Sequence, residues 1–260
     1  MTQVGLITSL VHYPVKGLSG QNLPEVALSP GQGFPFDRMF GLARAGSGFD
    51  AANPAPMPKD RFLMLMRDER LAGLASHFDP ATQILELKVQ GRVVHRADLS
   101  TPQGCAQTEA FFARMFDLPA DKMPRFVHAA PHRFTDVSVV STDLMNAISL
   151  INLDSIAALE AKTGASIAPE RFRGNIMFRG WPAFSELALE GREINIGSAR
   201  ARVTLRTRRC AATEVNPATA KRDLPIPRLL HQHYGHSDMG VYAELITGGV
   251  IRPGDSVSFT

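Results

Sequence analysis

The sequence predicts a mainly β protein with a few helices, an α+β fold built from two domains. Short runs of strand-forming residues, bounded by Gly, Pro and Asn, recur through the first half of the 260-residue chain. One segment of the second half, 151–164, has the periodicity and the end signals of a helix. Hydrophobic residues make up 44% of the chain and include 15 Phe, which is ample material for packed cores.

Charge and cysteine content exclude several classes of protein. Lys and Arg number 28 against 25 Asp and Glu, so a general nucleic-acid coat is not indicated. Cys105 and Cys210 alone cannot supply a disulfide scaffold, a four-thiolate zinc site or an all-cysteine iron–sulfur cluster. Neither a secretory signal nor an apolar run of about 18 residues, the length of a membrane-spanning helix, is visible. We therefore expect a cytoplasmic protein that binds neither nucleic acid nor membrane.

The first half is predicted to contain several short strands. A strand over 5–13 ends at a turn that presents Lys16, and residues 84–99 form a hairpin joined at Gln90-Gly91. Residues 47–60 collect Pro, Gly and Asn without periodicity and predict a loop. After Thr108, apolar residues at helical spacing predict a short helix. We place the boundary near residue 128, which gives domains of 1–128 and 129–260.

The second half contains the most definite elements. A helix follows Asn152 or Asp154 as its cap and stops at Gly164. From residue 199 to 208, small and apolar residues alternate with Arg and Thr, which predicts a half-buried strand with a cationic outer face. Arg209 and Cys210 follow directly after the end of this predicted strand.

Cys210 is the sharpest chemical feature. Arg206, Arg208 and Arg209 stand beside it in the sequence, and nearby cations favour the reactive thiolate. The thiolate would serve as a soft metal ligand or a nucleophile. The alternative is a buried cysteine that packs as a small hydrophobe.

The segment RFRGN places Arg171, Arg173 and Asn175 at alternate positions, so a strand would project all three from one face. Two guanidiniums and an amide can bind a phosphate or a polar heterocycle. The alternative is a solvated strand face. Lys16 and Arg38 are further cations at turns, with solvated charge as the default interpretation. The sequence lacks the glycine-rich nucleotide-binding loops, so side chains would have to form any anion site.

A third cluster, His231, His233, His236 and Asp238, permits a metal site of hydrolytic type. In a helix, however, His231 and His233 would point about 200° apart. Histidines near a helix C-terminus also complement its dipole. We rank a metal hydrolase below the readings based on Cys210.

Four segments together resemble the MOSC-domain family, proteins similar to the C-terminal part of molybdenum cofactor sulfurase and to the amidoxime-reducing molybdoenzymes. Their order and spacing agree over nearly the whole chain. The segments are Pro14-Val15-Lys16, RFRGN at 171–175, RRCAATEVNPAT at 208–219 and GVYAELITGGVIRPGD at 240–255.

The resemblance implies two β-barrel-like domains, an N-terminal MOSC β-barrel followed by a MOSC domain. It also implies a bound molybdenum cofactor, the pterin molybdopterin form, with Cys210 as the catalytic cysteine and the ligand to molybdenum. The residues that would hold the pterin and its phosphate, or line the same pocket, are Lys16, Arg38, Asn152, Arg171, Arg173, Asn175, Arg208, Arg209 and Asp238.

The function implied is that of an oxidoreductase that reduces small N-hydroxylated compounds. The chain shows no flavin or nicotinamide site and too few cysteines for a cluster, so electrons would come from a separate donor protein of flavoprotein or ferredoxin type. The alternative is a carrier of molybdenum cofactor, or a sulfur-transfer protein that uses a Cys210 persulfide.

Overall fold

The computed structural model describes residues 3–259, which form a mainly β structure with three α-helices. The helices are α1 (Pro102–Met115), α2 (Leu153–Thr163) and α3 (Ile226–Tyr234). The strands, in chain order, are β1 (Gln3–His12), β2 (Gln21–Leu23), β3 (Val26–Leu28), β4 (Phe40–Ala43), β5 (Ala75–Asp79), β6 (Ile84–Val89), β7 (Arg92–Asp98), β8 (Arg125–His128), β9 (Ile148–Asn152), β10 (Ile176–Arg179), β11 (Glu193–Ile196), β12 (Ala199–Arg208), β13 (Asp238–Thr247), β14 (Gly249–Ile251) and β15 (Ser256–Phe259). The prediction of a mainly β, α+β fold is confirmed.

Seven strands close into a barrel. Around the ring they run β1, β10, β9, β13, β12, β11 and β15, and β15 pairs with β1 again. Neighbours are antiparallel except β9 and β10, which are parallel. Closure lets side chains alternate between the interior and the outside. Leu10, Leu150, Ile176, Phe178 and Val203 belong to the buried cluster of the barrel.

The rest of the first half forms smaller sheets around a second core. β5, β6 and β7 make one antiparallel sheet, and β4 pairs with β8. Phe40, Leu71, Leu85 and Phe112 are buried together between these sheets and α1. β3 pairs with β14 near the end of the chain, so strand pairing links the two halves.

Several sequence predictions are confirmed in detail. β12 has the predicted bounds, with Ala201 and Val203 buried and Arg200 and Arg202 exposed. α2 begins at the Asn152 cap, whose side chain accepts the Asp154 N–H, and stops at the left-handed Gly164. The hairpin of β6 and β7 turns at Gln90-Gly91, where both residues have positive φ, as a tight two-residue turn requires.

Two local predictions are wrong. α1 begins at Pro102, six residues before Thr108, because Thr101 caps it by accepting the Gly104 N–H and Pro102 occupies the first turn. RFRGN is not a strand. Pro169 starts a single 3-10 turn, and Arg173 ends it with φ of 52° before β10 begins.

The first strand crosses the predicted domain boundary. β1 comes from the segment 1–128, yet it pairs with β10 and β15 to close the barrel. The division near residue 128 stays a prediction about folding units. Among the helices described between residues 3 and 259, none is long and apolar enough to cross a membrane.

Candidate functional site

A cavity of about 490 Å³ lies where the first half meets one end of the barrel. This volume is in the range typical of small-molecule sites. Of the ten residues that the resemblance assigns to the cofactor and its metal, eight line it: Lys16, Arg38, Arg171, Arg173, Asn175, Arg208, Arg209 and Cys210. The fold therefore brings together cations that are up to about 190 positions apart in the chain.

Cys210 lies just beyond the end of β12, and its backbone is fixed. The Arg209 N–H donates to Ser237 O at 2.8 Å, which continues the strand pairing by one residue. A short 3-10 turn then begins, in which the N–H and the hydroxyl of Thr213 both donate to Cys210 O, at 3.0 and 2.9 Å. The partly buried thiol is thereby held at the cavity wall.

The cation that reaches the Cys210 sulfur is Lys59, not one of the neighbouring arginines. Lys59 Nζ donates to Sγ at 3.3 Å and lies 3.9 Å from Asp136 Oδ2. Although burial opposes it, the charges of Asp136 and Cys210 raise the pKa of Lys59. Sequence reasoning missed Lys59, since a lone lysine at the end of the 47–60 loop carries no signal of its own.

Lys16 and Asp136 form a second pair in the wall. Lys16 is buried and donates to Asp136 and, at 2.9 Å, to Phe134 O. Burial lowers the pKa of Lys16 even though Asp136 favours its charged form. The Asp136 side chain is half exposed. Burial opposes its ionisation, but the combined attraction of Lys16, Lys59 and Arg38 outweighs burial and lowers the pKa of Asp136.

Arg38 and Arg173 both pack against the ring of Tyr13. Each guanidinium carbon lies 4.4 Å from the ring centroid, a cation–π distance. Arg38 Nη1 donates to both carboxylate oxygens of Asp37, at 2.7 and 2.6 Å, and Nη2 donates to Arg173 O. Burial raises the pKa of Tyr13 to about 12 despite the nearby arginines.

Arg173 and Arg209 differ from Lys16, Arg38 and Arg171 because no carboxylate between residues 3 and 259 forms an ion pair with either. Arg173 donates to Leu18 O at 2.5 Å. Arg209 donates to Phe172 O at 2.9 Å and to Met239 O. Burial lowers the pKa of each guanidinium to about 10. Two charged groups with no counterion at the wall of a cavity favour the binding of an anion.

Arg171 and Asn175 line the cavity but are already engaged. Arg171 Nη2 donates to both oxygens of Asp223, at 2.7 and 2.8 Å, and Nη1 donates to carbonyls of the turn after Cys210. Asn175 Oδ1 accepts the N–H and the hydroxyl of Ser149, and its Nδ2 donates to Val11 O. Arg171 thus positions the cysteine turn, and Asn175 joins barrel strands.

Three other residues predicted to bind the cofactor lie outside the cavity or at its exposed edge. Asn152 is fully buried, caps α2 and donates to Glu186 Oε2 at 3.2 Å, away from the cavity lining. Asp238 starts β13 opposite Arg208 and is not among the lining residues. Arg208 lines the cavity but is exposed.

The histidine cluster does not assemble a metal site. Within residues 3–259, no three His, Cys, Asp or Glu side chains are placed to hold a metal ion together. His231 is exposed on α3, and His236 Nδ1 accepts the Asp238 N–H at 3.1 Å.

Comparisons with known proteins identify the family of the chain. The family model of the MOSC domain matches residues 127–258. The YUAD protein from Bacillus subtilis is similar over 99% of this chain and 96% of its own, with 12% identity and a TM-score of 0.44. YiiM from Geobacillus stearothermophilus is similar over 44% of this chain and 54% of its own, with 21% identity and a TM-score of 0.34. None of the curated proteins compared matches the sequence. The family model of the MOSC domain matches half of the chain, and the protein therefore belongs to the MOSC-domain family.

Proposed function

We propose that this protein binds molybdenum cofactor in the cavity at Cys210 and reduces small N-hydroxylated compounds there. One observation carries the proposal: a thiol at the cavity wall lies among cations, of which Arg173 and Arg209 have no carboxylate counterion in the described chain. The MOSC domain is associated with this cofactor across its family.

The residues present fit such a cofactor. Molybdenum accepts a soft thiolate, and Cys210 supplies the only thiol among the lining residues of the described cavity. The phosphate of the cofactor requires charge-assisted donors, which Arg173 and Arg209 provide without having to break an existing ion pair. Lys16 and Arg38 add positive charge deeper in the wall.

The residues around Cys210 would have separate roles in holding the cofactor. Cys210 would hold the metal, and the Lys59 ammonium would orient the sulfur through its hydrogen bond. Arg171 would keep the turn after Cys210 in place. When bound, the cofactor would supply a two-electron reduction in which the N–O bond breaks, two electrons and two protons are taken up, and water leaves.

Electrons would come from a separate donor protein of flavoprotein or ferredoxin type. The chain has two cysteines, of which Cys105 packs against the first-half core and Cys210 lines the cavity. The carrier alternative uses the same cavity and the same thiol.

Turnover tests the proposal and separates it from the alternative. The protein is loaded with cofactor and given benzamidoxime with a chemical reductant, and formation of benzamidine is measured. We expect reduction with the chemical reductant and none with NADH alone. A protein that holds cofactor stoichiometrically yet reduces no N-hydroxylated compound would instead be a carrier.

A further inference from the structure

The opening of the cavity carries charge that the proposed cofactor residues do not use. Arg206 and Arg208, both exposed, lie at the C-terminal end of β12 and line the cavity at its opening. The buried cations lie deeper, since Lys16 is 7% exposed. The cavity therefore has an inner and an outer group of cations.

The outer arginines lack strong counterions. Asp37 and Asp136 are the carboxylates among the lining residues, and they are bound by Arg38 and by Lys16. Within residues 3–259, Arg208 forms no ion pair, and the nearest carboxylate to Arg206 is Glu190, at 3.9 Å. Elsewhere on the same strand, Arg202 is bound to Glu193 at 3.0 Å. The opening is left with a surplus of positive charge.

Apolar side chains lie in the same opening. Val140 is 66% exposed, and Val140, Met66 and Leu205 all line the cavity. An exposed valine at the lip of a cavity favours contact with an apolar part of a ligand. The opening thus combines guanidinium donors with an apolar surface.

We propose that the substrate of this site is an anion with an apolar body, whose carboxylate or similar group binds Arg208 and Arg206 while its body lies against Val140 and Met66. The proposal rests on the proposed function and adds the substrate class to it. It also assigns Arg208 to the substrate, whereas the family resemblance assigned it to the cofactor.

A matched pair of probes tests this inference. Benzamidoxime is uncharged near neutral pH, and 4-carboxybenzamidoxime differs by one carboxylate. Calorimetry on the full-length protein, both as purified and loaded with cofactor, measures the dissociation constant of each without requiring turnover. We expect the carboxylated probe to bind at least about tenfold more tightly, as a charge-assisted hydrogen bond provides.

Two variants locate the effect. Arg208→Gln is expected to reduce the preference to about twofold or less, whereas Arg202→Gln, on the same strand but paired with Glu193 outside the cavity, is expected to retain it. Equal affinities for the two probes, or equal losses in the two variants, would overturn the inference. Loss of molybdenum or pterin from Arg208→Gln would also overturn it, because Arg208 would then belong to the cofactor.

Rates with a chemical reductant distinguish this inference from the function on which it rests. If the carboxylated probe binds through Arg208 but neither probe is reduced, the proposed reductase function is contradicted and the proposed anion-binding site is supported. If both probes are reduced with the same kcat/KM, the proposed reductase function is supported and the proposed preference for an anionic substrate is contradicted.

Discussion

Two sets of arginines near β12 differ in what neutralises them. On the outer face, Arg200 and Arg202 are about half exposed and share Glu193, at 3.6 and 3.0 Å. At the cavity, Arg173 and Arg209 are partly buried, and no carboxylate in the described residues pairs with them. Water stabilises the outer charges, whereas the inner ones need a ligand. The comparison shows that burial and a missing counterion, rather than the number of arginines, indicate a binding site.

The largest expected difference concerns anion binding to the cofactor-free protein. Inorganic phosphate at about 100 times its Kd is expected to stabilise the wild type by about 2.7 kcal/mol, because it binds the folded state at the unpaired guanidiniums. Arg173→Met should lose most of this stabilisation. Thermal unfolding with and without phosphate measures it.

The matched control for that experiment is Arg202→Met, which removes a guanidinium from the outer face. It should keep the full response to phosphate, since Arg202 already has a carboxylate partner. Equal responses in the two variants would contradict the distinction between the two sets of arginines.

An intermediate effect is expected at Asp136, the counterion of Lys16. Asp136→Asn leaves the buried ammonium with fewer partners and should destabilise the protein by about 1 kcal/mol at pH 7, since the carboxylate is half exposed. The pKa of Asp136 is lowered in the folded state. Its contribution is therefore complete above the unfolded pKa of about 3.9 and is lost as pH falls through the lower, folded pKa.

Urea unfolding at several pH values measures this contribution. The difference between wild type and Asp136→Asn should be constant from neutral pH down to about pH 5 and should shrink below about pH 4. A difference that grew on acidification would show that the pair with Lys16 does not hold the carboxylate ionised.

The smallest effect is expected for the stability of the outer-face variant itself. Arg202→Gln removes an exposed ion pair with Glu193 and should change the free energy of unfolding by less than about 0.5 kcal/mol. Urea unfolding at neutral pH measures the change. A loss comparable to that of Asp136→Asn would contradict the small contribution expected of an exposed ion pair.

The sequence predicted those parts of the fold that local patterns determine. Alternation over 199–208 gave the correct bounds of β12, and Asn152 and Gly164 marked the ends of α2. RFRGN failed as a strand because alternation of polar residues does not reveal the turn started by Pro169. The start of α1 is determined by Thr101 and Pro102, which the apolar spacing around Phe111 does not reveal.

The site was predictable where it lies on those elements or on the family motifs. Cys210 and Arg209 follow from the end of β12 and Arg173 from the RFRGN segment, whereas Lys16 gained its proposed role from the resemblance. Lys59 and Asp136 were not predictable, since they come from loops that meet the cysteine only in three dimensions. No local pattern shows which arginine will have a carboxylate partner.

The central claim is that the cavity at Cys210 holds molybdenum cofactor. The most direct measurement is molybdenum and pterin content after expression in a host that makes the cofactor, comparing wild type, Cys210→Ser and Cys105→Ser. Cys105 is a matched control because it is also a free, partly buried thiol but packs in the first-half core. We predict near-stoichiometric molybdenum and pterin in wild type and Cys105→Ser, with the metal lost or altered in its ligation in Cys210→Ser. Absence of both from the wild type, or identical contents and spectra in all three proteins, would contradict the claim.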